Sequence, residues 1–345
     1  MGQHLKLRFI DLLRGKGLEP YAGDVTFPEV EGLEKPFVPY YDTHLRPLIT
    51  TYEEKRIAAL KKMRMRCIPG IPVMLLIFFL GIHFILKISG GQEEDPRVVL
   101  GMLTVALMTG VYGWMYAPVL RYSSSVKEKI YPLIIRFFGG SFAFHPEPPV
   151  VISECMPFQL LPKYDRSKME DYVRGIYRGV VIECFELELS KYSRFEREEN
   201  TVFNGVVIRL SANKTFNGKT VVHAPGGELR VNDISGMERV YLEDPEFEKY
   251  FNVYSTDQIE ARYLLTVSFM ERLKELGRLF GGGRPSCSFF ENQLMIVIYT
   301  HKNLFKTGSA FVPATFTEEI AIVLQEMQTL FGIITTLKLD EKTGL

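Results

Sequence analysis

The chain has 345 residues, 46% of them hydrophobic and 24% charged, which is too apolar for intrinsic disorder and long enough for two modules. Formal net charge is zero, yet residues 1–138 hold 18 Lys and Arg against 13 Asp and Glu, while residues 139–345 hold 23 against 28. The positive excess surrounds two apolar runs, so it reads as a membrane signal and not as a nucleic-acid footprint.

Residues 1–66 are expected to form a cytoplasmic, mostly helical segment, with the helix over residues 38–66. Two apolar runs follow. "CIPGIPVMLLIFFLGIHFIL" covers residues 67–86, and "VVLGMLTVALMTGVYGWMYA" covers residues 98–117. Each supplies the roughly 20 residues that a helix needs to cross a hydrocarbon layer. Together they define a transmembrane hairpin over residues 67–120. The short link "KISGGQEEDPR" between them is acidic and turn-rich. Lys61, Lys62, Arg64 and Arg66 precede the first span, and Arg121 follows the second. Basic residues stay on the cytoplasmic side. This predicts cytoplasmic termini, with Gln92–Asp95 across the membrane, and a basic flank that holds anionic lipid headgroups. His83 has no acidic partner in either span and reads as a neutral interfacial histidine.

Residues 121–149 read as a juxtamembrane helix interrupted at Pro132, then a stiff linker, "HPEPPV". From residue 150 the pattern turns to strands. "MEDYVRGIYRGVVIECFELELS", "TVFNGVVIRL" and "GKTVVHA" suggest an antiparallel meander. Helices and a returning hairpin, "PSCSFFENQLMIVIYT", come next. The last helix, from about residue 317, carries Ile320, Val323, Leu324, Met327, Leu330, Phe331 and Ile334 at helical spacing. Its glutamates make it a domain-packing helix and not a third span. The expected fold is a membrane-anchored α+β chain, with residues 150–345 as a cytoplasmic α+β domain.

Candidate chemistry is sparse. The cysteines Cys67, Cys155, Cys184 and Cys287 are far apart and form no CxxC pair, which argues against a disulfide framework or zinc site. The histidines show no ligand spacing. Glu186 and Glu188 fall on one strand face opposite Phe185, Leu187 and Leu189. Paired carboxylates suit a cation or acid–base work, but a solvated face gives the same pattern. "GRLFGGGRPS" places its glycines after a helix, where the carbonyl end repels phosphate. No Walker, GxGxxG or GxSxG motif is present, so no metal, cofactor or catalytic residue is assigned. In "YSTDQIEARYLL", Asp257 and Glu260 have capping-box spacing, and Arg262 points away from both around the helix axis.

"VFNGVVIRL", "LEDPEFEKYFNVYSTDQIEARYLLTVSFMERL" and "FFENQLMIVIYT" resemble a bacterial membrane-protein family catalogued as domain of unknown function number thirty-one thirty-seven. The resemblance takes in the basic segment, the hairpin and the soluble domain. Val267 departs from the proline often found at that position in the family. The resemblance implies a bacterial inner membrane and this architecture; it implies no activity. The expected function is a module that binds a protein partner or lipid, with homo-oligomers and no nucleic acid in view. The alternatives are a membrane-tethered enzyme using Glu186 and Glu188, or an accessory subunit of a transport or envelope complex.

Overall fold

The computed structural model describes residues 7–16, 18–21, 36–87, 96–193, 198–224, 236–242, 245–279, 285–300, 309–336 and 339. The link containing Gln92 and the glycine run after Leu279 lie outside the described residues. The chain divides into two compact units.

The first unit comprises residues 1–27, 38–129 and 307–317. Its helices are α1 (Phe9–Leu13), α2 (Val38–His44), α3 (Arg46–Lys87) and α4 (Pro96–Lys129). Both long helices outrun the apolar runs. α3 begins well before Cys67, and α4 continues past Ala117 to Lys129. The helix expected after residue 121 is therefore the continuation of α4. Near their polar ends these helices bury Tyr52, Leu60 and Met63 on α3, and Val119, Tyr122 and Val126 on α4, at spacings that share one helix face. Along the apolar runs the side chains are mostly exposed, including Phe79, Leu86, Val99, Met102 and Val105. The helices meet at small residues: Gly70 lies against Met115, and a Cβ built at Gly81 would stand 2.6 Å from Thr104 Cγ2 and Oγ1.

The base of α3 holds a buried ion pair. Arg56 donates from Nη2 to Glu53 Oε1 at 2.6 Å and from Nε to Oε2 at 2.8 Å. Both residues are 4% exposed. The pair binds two distant segments: Ala314 N–H and Tyr21 N–H donate to Glu53, and Arg56 Nη1 donates to Ala310 O.

The second unit comprises residues 28–37, 130–306 and 318–345. It opens with α5 (Tyr131–Arg136), whose Pro132 stands in the first turn, where no intrahelical N–H bond is lost. Next come β1 (Ala143–His145), β2 (Arg166–Tyr177), β3 (Val180–Ser193), β4 (Glu198–Ser211), β5 (Thr220–His223) and β6 (Glu238–Val240). The rest are α6 (Pro245–Tyr250), β7 (Asn252–Ser255), α7 (Gln258–Leu264), α8 (Val267–Leu279), β8 (Pro285–Phe290), β9 (Gln293–Tyr299) and α9 (Thr317–Thr336). The sheet order is β1-β2-β3-β4-β9-β8-β5-β7-β6, with every pairing antiparallel. The meander holds from β1 to β4 and then stops. The hairpin β8–β9 inserts between β4 and β5, so "GKTVVHA" pairs with β7 and β8, not with β4.

One sheet face carries Phe185, Leu187, Leu189, Phe203, Val207, Val221, Met295 and Val297, and packs against Ile152, Cys155, Phe158, Leu160 and Leu161. The opposite face meets helices. Phe269 of α8 packs on Phe289 of β8, with ring centroids 5.5 Å apart, and Phe331 of α9 stacks on Tyr177 of β2 at 4.1 Å. The sheet is thus a layer covered on both sides.

At the centre of the sheet, Gly205 pairs with Tyr299, and a Cβ there would run into the Ile298 carbonyl oxygen. A glycine inside a strand marks this kind of close backbone approach. Gly205→Ala is expected to lower the stability of this unit by about 1–3 kcal/mol, the usual cost of overpacking. A urea melt showing no loss would mean that β4 and β9 separate freely at that point.

Candidate functional site

Glu186 and Glu188 sit on β3 with Ile182 and Cys184, on the face that meets the helices. The fully solvated face expected from alternation is absent. Ile182 and Cys184 are buried, Glu186 is half-buried, and only by Glu188 is the face open. Glu186 pairs in register with Glu170 and Val206, and Glu188 with Lys168 and Asn204.

Glu188 lines a surface groove of about 420 Å³ with Arg166, Ser167, Lys168, Ser190, Glu199 and Thr201. Both of its cations are already paired, Arg166 with Glu199 at 3.1 Å and Lys168 with Glu170 at 3.1 Å, while Glu188 accepts from Thr201 Oγ1 at 3.5 Å. A hydrogen bond to Glu170 and the charges of Glu170, Glu188 and Glu186 hold the Lys168 ammonium above its ordinary range, against a smaller opposing push from burial. The groove is a set of exposed ion pairs, each worth little to stability.

The stretch around Asp257 builds a different place. Asp257 stands at the N-cap of α7 in extended backbone, and its Oδ1 accepts from Ile259 N–H and Glu260 N–H at 3.0 Å each. Glu260 does not close a capping box. Its carboxylate accepts from Asn217 N–H at 2.8 Å and Gly218 N–H at 2.7 Å, on the loop leading into β5. The Asp257 N–H is taken instead by Ser255 Oγ, at 3.0 Å. The reason is tertiary: a loop 42 residues away presents two N–H groups to the buried glutamate.

That loop forms one wall of a cleft of about 380 Å³, a size typical of small-molecule sites. Gln159, Phe216, Lys219, Met237, Thr256 and Phe290 line it. Lys219 Nζ donates to Pro157 O at 2.8 Å and lies 4.1 Å from the centre of the Phe290 ring. Burial pulls the Lys219 pKa down, with the Glu291 charge opposing. The Gln159 side-chain oxygen is buried without a hydrogen-bond partner. The cleft therefore offers the Lys219 cation, the Glu291 carboxylate, the amides of Gln159 and Asn217 and two threonine hydroxyls beside apolar walls, the mix of groups that fixes a small molecule.

A polar cluster that sequence reading missed lies on the sheet face opposite Glu186 and Glu188. Arg209 Nη1 donates to Glu154 Oε2 at 2.9 Å and stands 3.5 Å from Glu183 Oε2. Tyr172 O–H donates to Glu183 Oε1 at 2.6 Å. The register pairing Glu183 with Arg209 brings these charges together, and it cannot be read from spacing along the chain. The cluster pins the segment around Glu154 to the sheet.

The four cysteines are free and buried. Burial pushes the Cys155 thiol up to about 11, the charge of Arg209 opposing, and also raises Cys184 and Cys287. Such thiols stay protonated and are poor nucleophiles. Among the described residues no group of three His, Cys, Asp or Glu is placed to hold a metal ion.

Among the described residues, the fold and these sites define an α+β module, built on a nine-stranded antiparallel sheet, in a chain that also carries two helices long and apolar enough to cross a membrane. Residues 201–339, from β4 to just beyond α9, match the family described as Protein of unknown function (DUF3137). The match is narrower than the motif resemblance, since it leaves out both long helices. Among solved structures, the mycobacterial trehalose monomycolate transport factor A is similar at 14% identity over 57% of this chain and 86% of its own, with a TM-score of 0.35. No curated protein matches the chain.

Proposed function

We propose that α3 and α4 anchor the chain in a bacterial inner membrane as a two-span hairpin with both termini cytoplasmic, and that the α+β module binds a protein partner or lipid there. The observation carrying this reading is exposure. In the most apolar 18-residue windows of the two helices, only 11% and 6% of residues are buried, whereas the core helix of a soluble protein is mostly buried. Bilayer is the solvent that makes such a surface stable. Orientation follows from the basic flank at Lys61, Lys62, Arg64, Arg66 and Arg121. A binding role is favoured by the cleft, where Lys219 and the unpartnered Gln159 oxygen stand among apolar walls.

Topology is tested with alkaline phosphatase and green fluorescent protein fused at Gln92 and after Leu345. Phosphatase activity only at Gln92 and fluorescence only after Leu345 are expected. The reverse pattern would overturn the orientation, and release of the protein by alkaline carbonate would overturn the anchor.

A further inference from the structure

Resting on the membrane reading above, we propose that a cationic collar of Lys61, Lys62 and Arg121 binds the phosphate of anionic phospholipids in the same bilayer. The helix pair fixes the level of these residues. Gly70 meets Met115 and Gly81 meets Thr104, equal steps along α3 and α4, so one antiparallel register joins the contacts. Continued toward the polar ends, that register sets Arg64 level with Arg121 and Met65 level with Leu120. At 1.5 Å of rise per residue, Arg64 and Arg121 lie roughly 5 Å outside Cys67, where the apolar run starts, and Lys61 roughly 9 Å outside it. That is the depth of lipid headgroups.

The basic residues of this region are not equivalent. Arg56 is consumed by Glu53. Arg64 Nε donates to Leu13 O at 3.1 Å. Arg66 Nη1 donates to Trp114 O at 2.7 Å, and its guanidinium lies 5.2 Å from the Trp114 ring centre. Lys55 lies over the Tyr52 ring at 4.4 Å. Lys61, Lys62 and Arg121 remain: they are exposed, and among the described residues no carboxylate forms an ion pair with them. The sequence also keeps acids away. No Asp or Glu occurs from Lys55 to Lys87 or from Pro96 to Lys127.

Exposed apolar side chains complete the surface at the same levels: Met65 is 70% exposed, Ile68 66% and Leu120 54%. A lipid satisfies both halves, with phosphate against the cations and acyl chain against Met65, Ile68 and Leu120. Soluble phosphate satisfies only the first.

The test uses the full chain in nonionic detergent, exchanged with equal phosphatidylglycerol and phosphatidylcholine, the retained lipid being counted by native mass spectrometry. Enrichment of phosphatidylglycerol is expected to fall roughly fivefold per charge removed in Lys61→Gln, Lys62→Gln and Arg121→Gln. It should also fall with added salt. The control triple Lys163→Gln, Lys191→Gln, Lys249→Gln, on the α+β module, should keep the enrichment. Undiminished enrichment in the collar variant, or no enrichment in the wild type, overturns the proposal. Displacement of the lipid by millimolar glycerol phosphate would do so too, because the site would then read a free phosphate. Carbonate extraction separates the two readings. Release of the wild-type chain sinks the anchor and the collar together, whereas resistance with unchanged enrichment in the variant sinks the collar alone.

Discussion

Replacing Arg56 by Met is expected to destabilise the first unit by about 3–5 kcal/mol, because it leaves the Glu53 carboxylate buried without its counter-charge. The effect is large for a structural reason. Glu53 accepts from Arg56 twice, from Ala314 N–H and from Tyr21 N–H, so one carboxylate joins α3 to segments before and after it in the chain. Burial raises the Glu53 pKa, but the hydrogen bonds from Arg56, Ala314 and Tyr21 and the Arg56 charge outweigh it, and the carboxyl ends below the ordinary value of 4.5. The sign follows. A carboxyl lowered in the folded state stabilises fully above its unfolded pKa and loses that contribution as pH falls through the folded one. Glu53 should therefore withdraw its contribution as pH falls below about 4.5, and Glu53→Gln should flatten that acid limb. Replacing both partners by apolar residues should recover part of the loss. It should still cost about 1–3 kcal/mol, since Ala314 N–H and Ala310 O lose their partners. Pulse proteolysis in urea on the detergent-solubilised chain reads all of these variants. A single Arg56→Met variant as stable as the wild type would show that the pair is dispensable.

What the sequence disclosed depended on the range of the interaction. The apolar runs are local and uninterrupted, so two helices of membrane length were legible from residues 67–86 and 98–117. The start of α7 was legible for the same reason: an N-cap is decided by Asp257 and the two N–H groups just after it. The strand pattern gave β2, β3 and β4, because these strands follow one another within a few residues of chain. It could not give the place of β5, because β8 and β9 come more than 60 residues later and take the edge of β4 that a simple meander would use. Charge pairs failed in the same way. "YEEKRI" shows Glu53 and Arg56 three apart, an ordinary exposed helix pair by spacing. Only the return of residues 310–314, more than 250 positions away, buries it. Arg209 was one basic residue inside "VVIRL" until register set it beside Glu183. Glu186 and Glu188 stood out because alternation is visible locally, but the helices covering part of their face are not.

The same distinction sets the expected ranking of Asp257 and Glu260. Asp257→Ala removes an N-cap and should cost about 0.5–2 kcal/mol. Glu260→Ala should cost more, about 3 kcal/mol, because each hydrogen bond to a buried charged group contributes about 1.5–3 kcal/mol and two are lost, with some return from water. The loop it holds has little slack. Ala212 N–H and Phe216 N–H are fixed to Asn292 O and Glu291 O at 2.7 and 2.6 Å, and Gly218 is so close-packed that a Cβ would meet Thr256 Oγ1 at 2.8 Å. Asn217 and Gly218 therefore cannot turn to other acceptors without moving the wall of the Lys219 cleft. Glu260→Gln keeps one acceptor oxygen and should recover about half the loss. The double variant Asp257→Ala, Glu260→Ala should cost less than the two single losses together, since both residues fix the first turn of α7 and neighbouring effects do not add. Urea unfolding of the four variants and the wild type provides the measurement. If Glu260→Ala proved milder than Asp257→Ala, the carboxylate would be a helix-start residue and nothing more, and the link between α7 and the cleft would be lost.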